Sequence, residues 1–262
     1  MKKQEVSILV SVYNKEHYIQ DALASIAIQR NFPLKSLEVV VVDDNSSDSS
    51  FERAREFLDL EDFSYKLIKA SSTGGSSRAR NILMKKAKGK IHIHLDGDDL
   101  LHQDCVYEIY HVFQQNPCVG FVYSDHASIR GETKGPIPRP EQILKIKDSK
   151  SDFDIRGFLR NKHNYVGHVK AVRASVALPF DEDIPYAEDA DWIIRHGLAG
   201  VDFFHIPEVL YYWRRNVGGL SEEFSQKREN DYWHNFVFER GLKELENKKH
   251  KTRENEFISD SK

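Results

Sequence analysis

Cysteine is nearly missing from this chain: Cys105 and Cys118 are the only two among 262 residues. Two unclustered cysteines make neither a disulfide framework nor a Cys-x-x-Cys metal pair, and they fit a reducing compartment. Long hydrophobic runs are missing too. The longest aliphatic stretch surrounds Val39, Val40, Val41 and Val42, far below the roughly 20 residues a membrane-spanning helix needs. Met1 to Glu5 is charged and leads straight into a short apolar stretch, without the apolar core of a signal peptide. We therefore expect a cytoplasmic protein, peripheral where it meets the inner face of a membrane. Nor is there an excess of charge: 38 basic against 41 acidic side chains leave a formal net charge of −3. Such a balance gives no basic field for phosphate backbones, so no nucleic acid partner is expected. What remains is a chain with 40% apolar residues, enough for a real core at a size that buries roughly three quarters of the unfolded surface.

The apolar residues are grouped in a pattern. Residues 6–12 and 37–42 read as strands, the second almost wholly aliphatic, as in a strand buried on both faces of a parallel sheet. Helical spacing follows each, over 15–30 and 51–58. Further strands are predicted at 65–69, 91–95 and 119–123, and further helices at 76–87 and 106–113. Alternation at this spacing predicts an α/β fold with right-handed crossovers, whose ligand lies beyond the carboxyl ends of the strands. After Ser124 the alternation breaks: 131–151, with three prolines, reads as a long loop. Beyond it come an apolar segment at 166–172, a helix at 190–198 and a hairpin through 201–206 and 209–213. Residues 222–262 mix ten acidic with nine basic side chains, with Trp233, Phe236, Val237 and Leu242 as one apolar stripe, and read as a solvated amphipathic helix frayed beyond about residue 247.

Four segments could carry chemistry. Asp96-Gly97-Asp98-Asp99 crowds three carboxylates at a strand end, where they repel one another unless a cation compensates them. Mg²⁺ or Mn²⁺ would do so; an acidic turn that caps the next helix is the plain alternative. Gly74-Gly75-Ser76-Ser77-Arg78-Ala79-Arg80 opens a helix with small residues and two guanidiniums, suited to phosphate, although it is neither a dinucleotide fingerprint nor a P-loop. Glu188-Asp189-Ala190-Asp191 opens another helix and offers either a cap or a general base. Tyr211-Tyr212-Trp213-Arg214-Arg215 precedes a glycine pair, and its aromatics cannot all face one core.

Together with Val6-Ser7-Ile8-Leu9-Val10-Ser11-Val12-Tyr13-Asn14 and Val42-Asp43-Asp44-Asn45-Ser46-Ser47-Asp48, these segments resemble, in order, the family 2 glycosyltransferases of the GT-A fold. The resemblance covers residues 6 to about 220. It implies a mostly parallel nucleotide-binding sheet flanked by helices, with a mixed region on the acceptor side. The domain reading that follows is 1–221 for the transferase, split into 1–125 for the nucleotide sugar and 126–221 for the acceptor, with 222–262 as a charged helical tail. By resemblance, Ser11, Tyr13, Asp43 and Asp44 look like the base pocket, Arg80 reaches toward base or diphosphate, and Asp96 lies near the ribose. Asp98 is similar to the metal ligand, with Mn²⁺ or Mg²⁺ as cofactor, and Asp189 to the catalytic base. A histidine common after the Tyr-x-Arg segment is replaced by Arg215-Asn216, so Arg214 or Arg215 would neutralise the leaving diphosphate.

The implied reaction is inverting transfer of one sugar from a nucleotide-diphosphate sugar, by preference a UDP-sugar, to a hydroxyl of a glycan or lipid-linked glycan acceptor such as a growing surface polysaccharide or lipopolysaccharide. Two alternatives stay open, a sugar-phosphate nucleotidyltransferase and an inactive nucleotide-sugar-binding module. The first lacks its glycine-rich basic loop, since Tyr13-Asn14-Lys15-Glu16 follows the first strand.

Overall fold

The computed structural model describes residues 4–149, 152–162, 164–215 and 229–259. β1 (Val6–Val12) and β2 (Leu37–Asp43) are buried almost end to end, because aliphatic side chains leave both of their faces. Val6, Ile8, Val10 and Val12 join Leu37, Val39 and Val41 beneath α1 (Ile19–Ala27) and α2 (Ser50–Leu58). Leu9, Val40 and Val42 point the other way, onto Ala79 and Leu83 of α3 (Gly75–Lys86). A helix layer on each face follows from apolar residues in both alternating sets, although Ser7, Ser11 and Glu38 interrupt the second. β3 (Ser64–Lys69) and β4 (Ile91–Asp96) complete a parallel unit in the order β3-β2-β1-β4.

The rest of the sheet is mixed. After β5 (Leu100–Leu101) and α4 (Cys105–Gln115) come β6 (Val119–Arg130), β7 (Ile143–Lys147) and α5 (Ile155–Asn161). β8 (Lys170–Arg173), α6 (Glu188–Leu198), β9 (Asp202–Arg215) and α7 (Glu229–Ser259) close the described chain. β8 runs antiparallel to both β4 and β6, and β9 runs parallel to β6, so the sheet extends as β8-β6-β9-β5. Parallel strands therefore form the N-terminal half of the sheet and mixed strands the other.

Three expectations need correction. The hairpin expected at 201–213 is one strand, β9, paired with β6 along its whole length. Pro207 and Glu208 do not turn the chain; they fall at a register shift, where Ser124 pairs with Ile206 and Asp125 with Val209. A bulge tolerates proline's missing N–H. Inside the expected loop at 131–151 lie a short 3₁₀ turn, Pro140–Gln142, and β7, which pairs with β6. Leu144, Lys145, Ile146 and Lys147 of β7 are exposed, and that lack of a buried face is why no apolar pattern announced the strand.

The tail helix is docked, not solvated along one whole side. Val237 and Phe238 are fully buried with Phe158 of α5 and Trp192, Ile193 and Ile194 of α6, while Phe236 of the expected stripe is 38% exposed. Gly241 permits this approach, since a Cβ there would lie 2.7 Å from both Ile194 and Leu159 side chains. Among the described residues, no helix is long and apolar enough to cross a membrane.

Candidate active site

The parallel register sets Ser11 beside Asp96 and Val12 beside Asp43, so three strand ends deliver their polar residues to one edge. Ser11 Oγ donates to Asp96 Oδ1 at 3.0 Å. Tyr13, just past β1, is 48% exposed, which leaves its ring open to a flat partner. Asp43 Oδ1 accepts from the Ser46 N–H at 2.8 Å, whereas its Oδ2 is buried without a hydrogen-bond partner among the described residues. A buried acceptor left open is costly unless a ligand completes it.

Asp44 has another task. Both its oxygens accept from the N–H groups of Gly74 and Gly75, at 2.8 to 3.1 Å, and so cap α3. Gly75 has φ +81°, a conformation that side chains disfavour. Burial, with Asp43 alongside, pushes the Asp44 pKa above its ordinary value despite those donors. The phosphate site expected at this helix start is thus filled by the protein's own carboxylate, and Arg78 turns to Ser72 at 3.2 Å.

The carboxylates of the 96–99 turn are held in three different ways. Burial would raise the Asp96 pKa, but Arg80 Nη2 at 2.9 Å outweighs it and keeps the group well below the carboxylate range. The same guanidinium reaches Glu188 Oε1 through Nη1 at 2.6 Å. Asp98 Oδ2 lies 2.7 Å from Lys15 Nζ. Asp99 accepts from the Tyr211 hydroxyl and the Arg214 N–H, each at 2.7 Å, and burial beside Asp98 and Asp96 pushes its pKa well up.

Arg214 does not join this surface as the sequence reading expected. Its side chain is fully buried beneath the turn, where Nε donates to Asp98 O at 2.7 Å, Nη1 donates to Thr133 O, and Asp21 lies 3.7 Å away. A guanidinium so engaged positions the acidic turn from below.

α6 presents Asp189 from its first turn. Its carboxylate is 32% exposed, and Oδ2 sits 3.3 Å from Lys170 Nζ and 3.4 Å from Asn164 Nδ2. Burial raises its pKa, yet Lys170 and Arg80 together bring it below the ordinary value. Asp191 points away into the core, ion-paired with Arg195 at 2.8 Å and with Arg240 of α7. Lys15 and Lys170 are the residues that sequence reasoning missed. Lys170 did leave a trace, a lone ammonium inside an apolar strand segment, where burial demands a partner.

Among the described residues, no three His, Cys, Asp or Glu side chains converge to hold a metal ion. Asp96 accepts from Ser11 and Arg80 through Oδ1, Asp99 from Tyr211 and Arg214, and Asp98 pairs with Lys15; the Asp96 side chain is 36% exposed and that of Asp98 15%. That donor set does not suit a caged ion. It does suit Mg²⁺ or Mn²⁺ bound through one or two carboxylates plus substrate phosphates.

Comparison with known proteins points to one family. A family model described as Glycosyl transferase family 2 matches residues 7–177. Glycosyltransferase GlyA of Streptococcus pneumoniae is 33% identical over 232 residues, 85% of this chain and 32% of its own length. The poly(ribitol-phosphate) beta-N-acetylglucosaminyltransferase TarS of Staphylococcus aureus is 34% identical over 98 residues, 37% of this chain and 17% of its own. The crystal structure of TarS 1–349 with UDP superposes with TM-score 0.68 at 19% identity, covering 91% of this chain and 65% of that one. The mannosyltransferase PcManGT of Pyrobaculum calidifontis, in complex with GDP-Man and Mn²⁺, gives TM-score 0.65 at 19% identity, covering 89% and 64%. By sequence, the matched segments thus cover about a third of GlyA and less than a fifth of TarS.

Proposed function

The chain belongs to glycosyl transferase family 2, and from that premise we propose that it transfers one sugar, with inversion, from a nucleotide-diphosphate sugar to a hydroxyl of a cell-surface polymer. The observation that carries this reading is that Arg80 and Lys170 both act on Asp96 and on Asp189, Arg80 at 2.9 Å from Asp96 and Lys170 at 3.3 Å from Asp189. One carboxylate faces the donor and the other faces the acceptor, with both cations shared between them.

Each role follows from the local chemistry. Asp43 Oδ2, the open buried acceptor, suits the imide N–H of uracil, and the Tyr13 ring would lie against the base. A UDP-sugar is therefore the preferred donor, and the TarS structure with UDP supports that choice. The TarS name, which specifies a ribitol-phosphate polymer, supports a wall or surface polymer as acceptor. Asp189, kept ionised by Lys170 and Arg80, takes the proton of the acceptor hydroxyl as its oxygen attacks the anomeric carbon opposite the diphosphate. The C–O bond to the diphosphate breaks as the new glycosidic bond forms. Asp98 would hold Mn²⁺ or Mg²⁺ together with the donor's diphosphate, and the cation would supply charge to the leaving group. Cys105 and Cys118 are both free thiols, which supports cytoplasmic placement.

The test is product analysis with nucleotide sugars, Mn²⁺ and candidate wall polymers. Release of nucleoside diphosphate with a glycosylated acceptor is the expected result. Release of pyrophosphate would make the protein a nucleotidyltransferase, and nucleotide binding without turnover would make it an inactive binding module.

A further inference from the structure

The β1–α1 loop brings a cation into the acidic turn. Its backbone is pinned to the segment after β2: the Asn14 N–H donates to Ser46 Oγ at 2.9 Å, the Lys15 N–H to Ser50 Oγ at 2.6 Å, and the Glu16 N–H to Asp48 Oδ2 at 3.1 Å. Asn14 itself takes φ +52°. With the backbone fixed this way, the Lys15 side chain reaches across to Asp98, and Asp96 and Asp99 also act on its ammonium. Lys15 is 23% exposed in its side chain and Asp98 15%, so the pair is mostly buried, with one side reached by solvent.

We propose that Lys15 is a built-in competitor for the divalent cation: its ammonium occupies Asp98 in the free protein, so that metal binds weakly until a nucleoside diphosphate arrives. The inference rests on the reading of Asp98 as the metal's carboxylate. Asp96 is held by Ser11 and Arg80 through Oδ1 and Asp99 by Tyr211 and Arg214, and a cation that binds through Asp98 meets a carboxylate already paired with Lys15. A diphosphate changes the balance twice. It adds oxygen ligands for the metal, and it offers the displaced ammonium a new anionic partner. Metal and nucleotide therefore bind with positive coupling, and each strengthens the other by the same factor. The loop that carries Lys15 also carries Tyr13, so a base resting on Tyr13 places its phosphates within reach of the displaced ammonium.

The experiment titrates Mn²⁺ by electron paramagnetic resonance, with and without UDP, on the full chain. Wild type, Lys15→Met, Lys15→Arg, Lys134→Met and Asp98→Asn are compared, with thermal melts confirming that each is folded. Lys134 donates to His17 O at 2.9 Å and serves as a control for loss of a positive charge nearby. Without UDP, Lys15→Met should bind Mn²⁺ at least about fivefold more tightly than wild type, the low end of ordinary coupling factors. Lys15→Arg and Lys134→Met should stay near wild type. Equal nucleotide-free affinities for Lys15→Met and wild type would overturn the proposal, and so would the same gain in Lys134→Met. A loss of UDP affinity in EDTA without any change in Mn²⁺ affinity would make Lys15 a phosphate ligand instead. The reading beneath fails separately, if Asp98→Asn binds Mn²⁺ as wild type does.

Discussion

Arg80 and Glu188 stand 108 positions apart in the chain, and their side chains meet at 2.6 Å. The contact ties α3, beside the carboxyl ends of the parallel strands, to α6, which carries Asp189. Because the other arm of the same guanidinium holds Asp96 at 2.9 Å, one planar fork sets the spacing between the donor side and the proposed base. A lysine is a point charge and cannot bridge two carboxylates in this way.

Arg80→Lys should therefore lower kcat/KM for the sugar donor by about 10- to 100-fold, the usual cost of losing a hydrogen bond to a charged group. Steady-state kinetics with a UDP-sugar check it. A variant within about twofold of wild type would show that the fork does not matter to the reaction.

Asp189→Asn keeps size and hydrogen bonding yet removes proton acceptance. Its kcat should fall by about 10²–10⁴, with UDP affinity unchanged by calorimetry. Asp191→Asn should act elsewhere, since it breaks a buried pairing with Arg195 and Arg240, and should lower stability in urea by about 3 kcal/mol. Collapse of turnover in Glu188→Gln, with Asp189→Asn near wild type, would move the base by one residue.

Much of this was legible in the sequence, for physical reasons that differ by element. β1 and β2 show themselves because aliphatic residues fill both faces, and the acids at their ends fall where such a sheet binds ligands. Asp189 and Asp191, two positions apart in the first turn of α6, face different ways, one toward Lys170 and the other into the core. β9 was misread because Pro207 imitates a turn signal where β9 bulges against β6. Lys15 and Lys170 stayed hidden because a single lysine has no motif. Their meaning comes from partners 83 and 19 positions away, Asp98 and Asp189.

Lys170→Met should shift the acid limb of the kcat–pH profile to higher pH. Burial pushes the Asp189 carboxyl up, and Lys170 of β8 and Arg80 of α3 bring it down, with Asn164, Tyr186 and Glu188 as its other polar neighbours. Without the Lys170 ammonium, protonation of the base begins at higher pH and activity is lost sooner on acidification. Lys170→Arg should restore the wild-type limb. An unmoved limb in Lys170→Met would limit Lys170 to packing.

Asp43→Asn tests how the base is read. The asparagine retains an acceptor for the Ser46 N–H but presents an amide N–H where a carboxylate oxygen was open. UDP affinity should fall by about 10- to 100-fold, while CDP, whose ring offers an acceptor at that edge, should lose little or improve. Competition titrations measure the ratio, and an unchanged preference for UDP over CDP would place the base elsewhere.

β7 bears on how the protein behaves in a crowded solution. Among the described residues it pairs with β6 alone, and a strand with one unpaired edge is a template for joining another chain. Leu144 and Ile146, both exposed, would favour such joining. Lys145 and Lys147 oppose it, because two copies meeting edge to edge would bring their ammoniums alongside one another. That protection is electrostatic and weakens as added salt shortens the range of repulsion. Colloidal stability of the purified protein is therefore set at this strand by the balance of two lysines against two aliphatic side chains, and low ionic strength favours the monodisperse form.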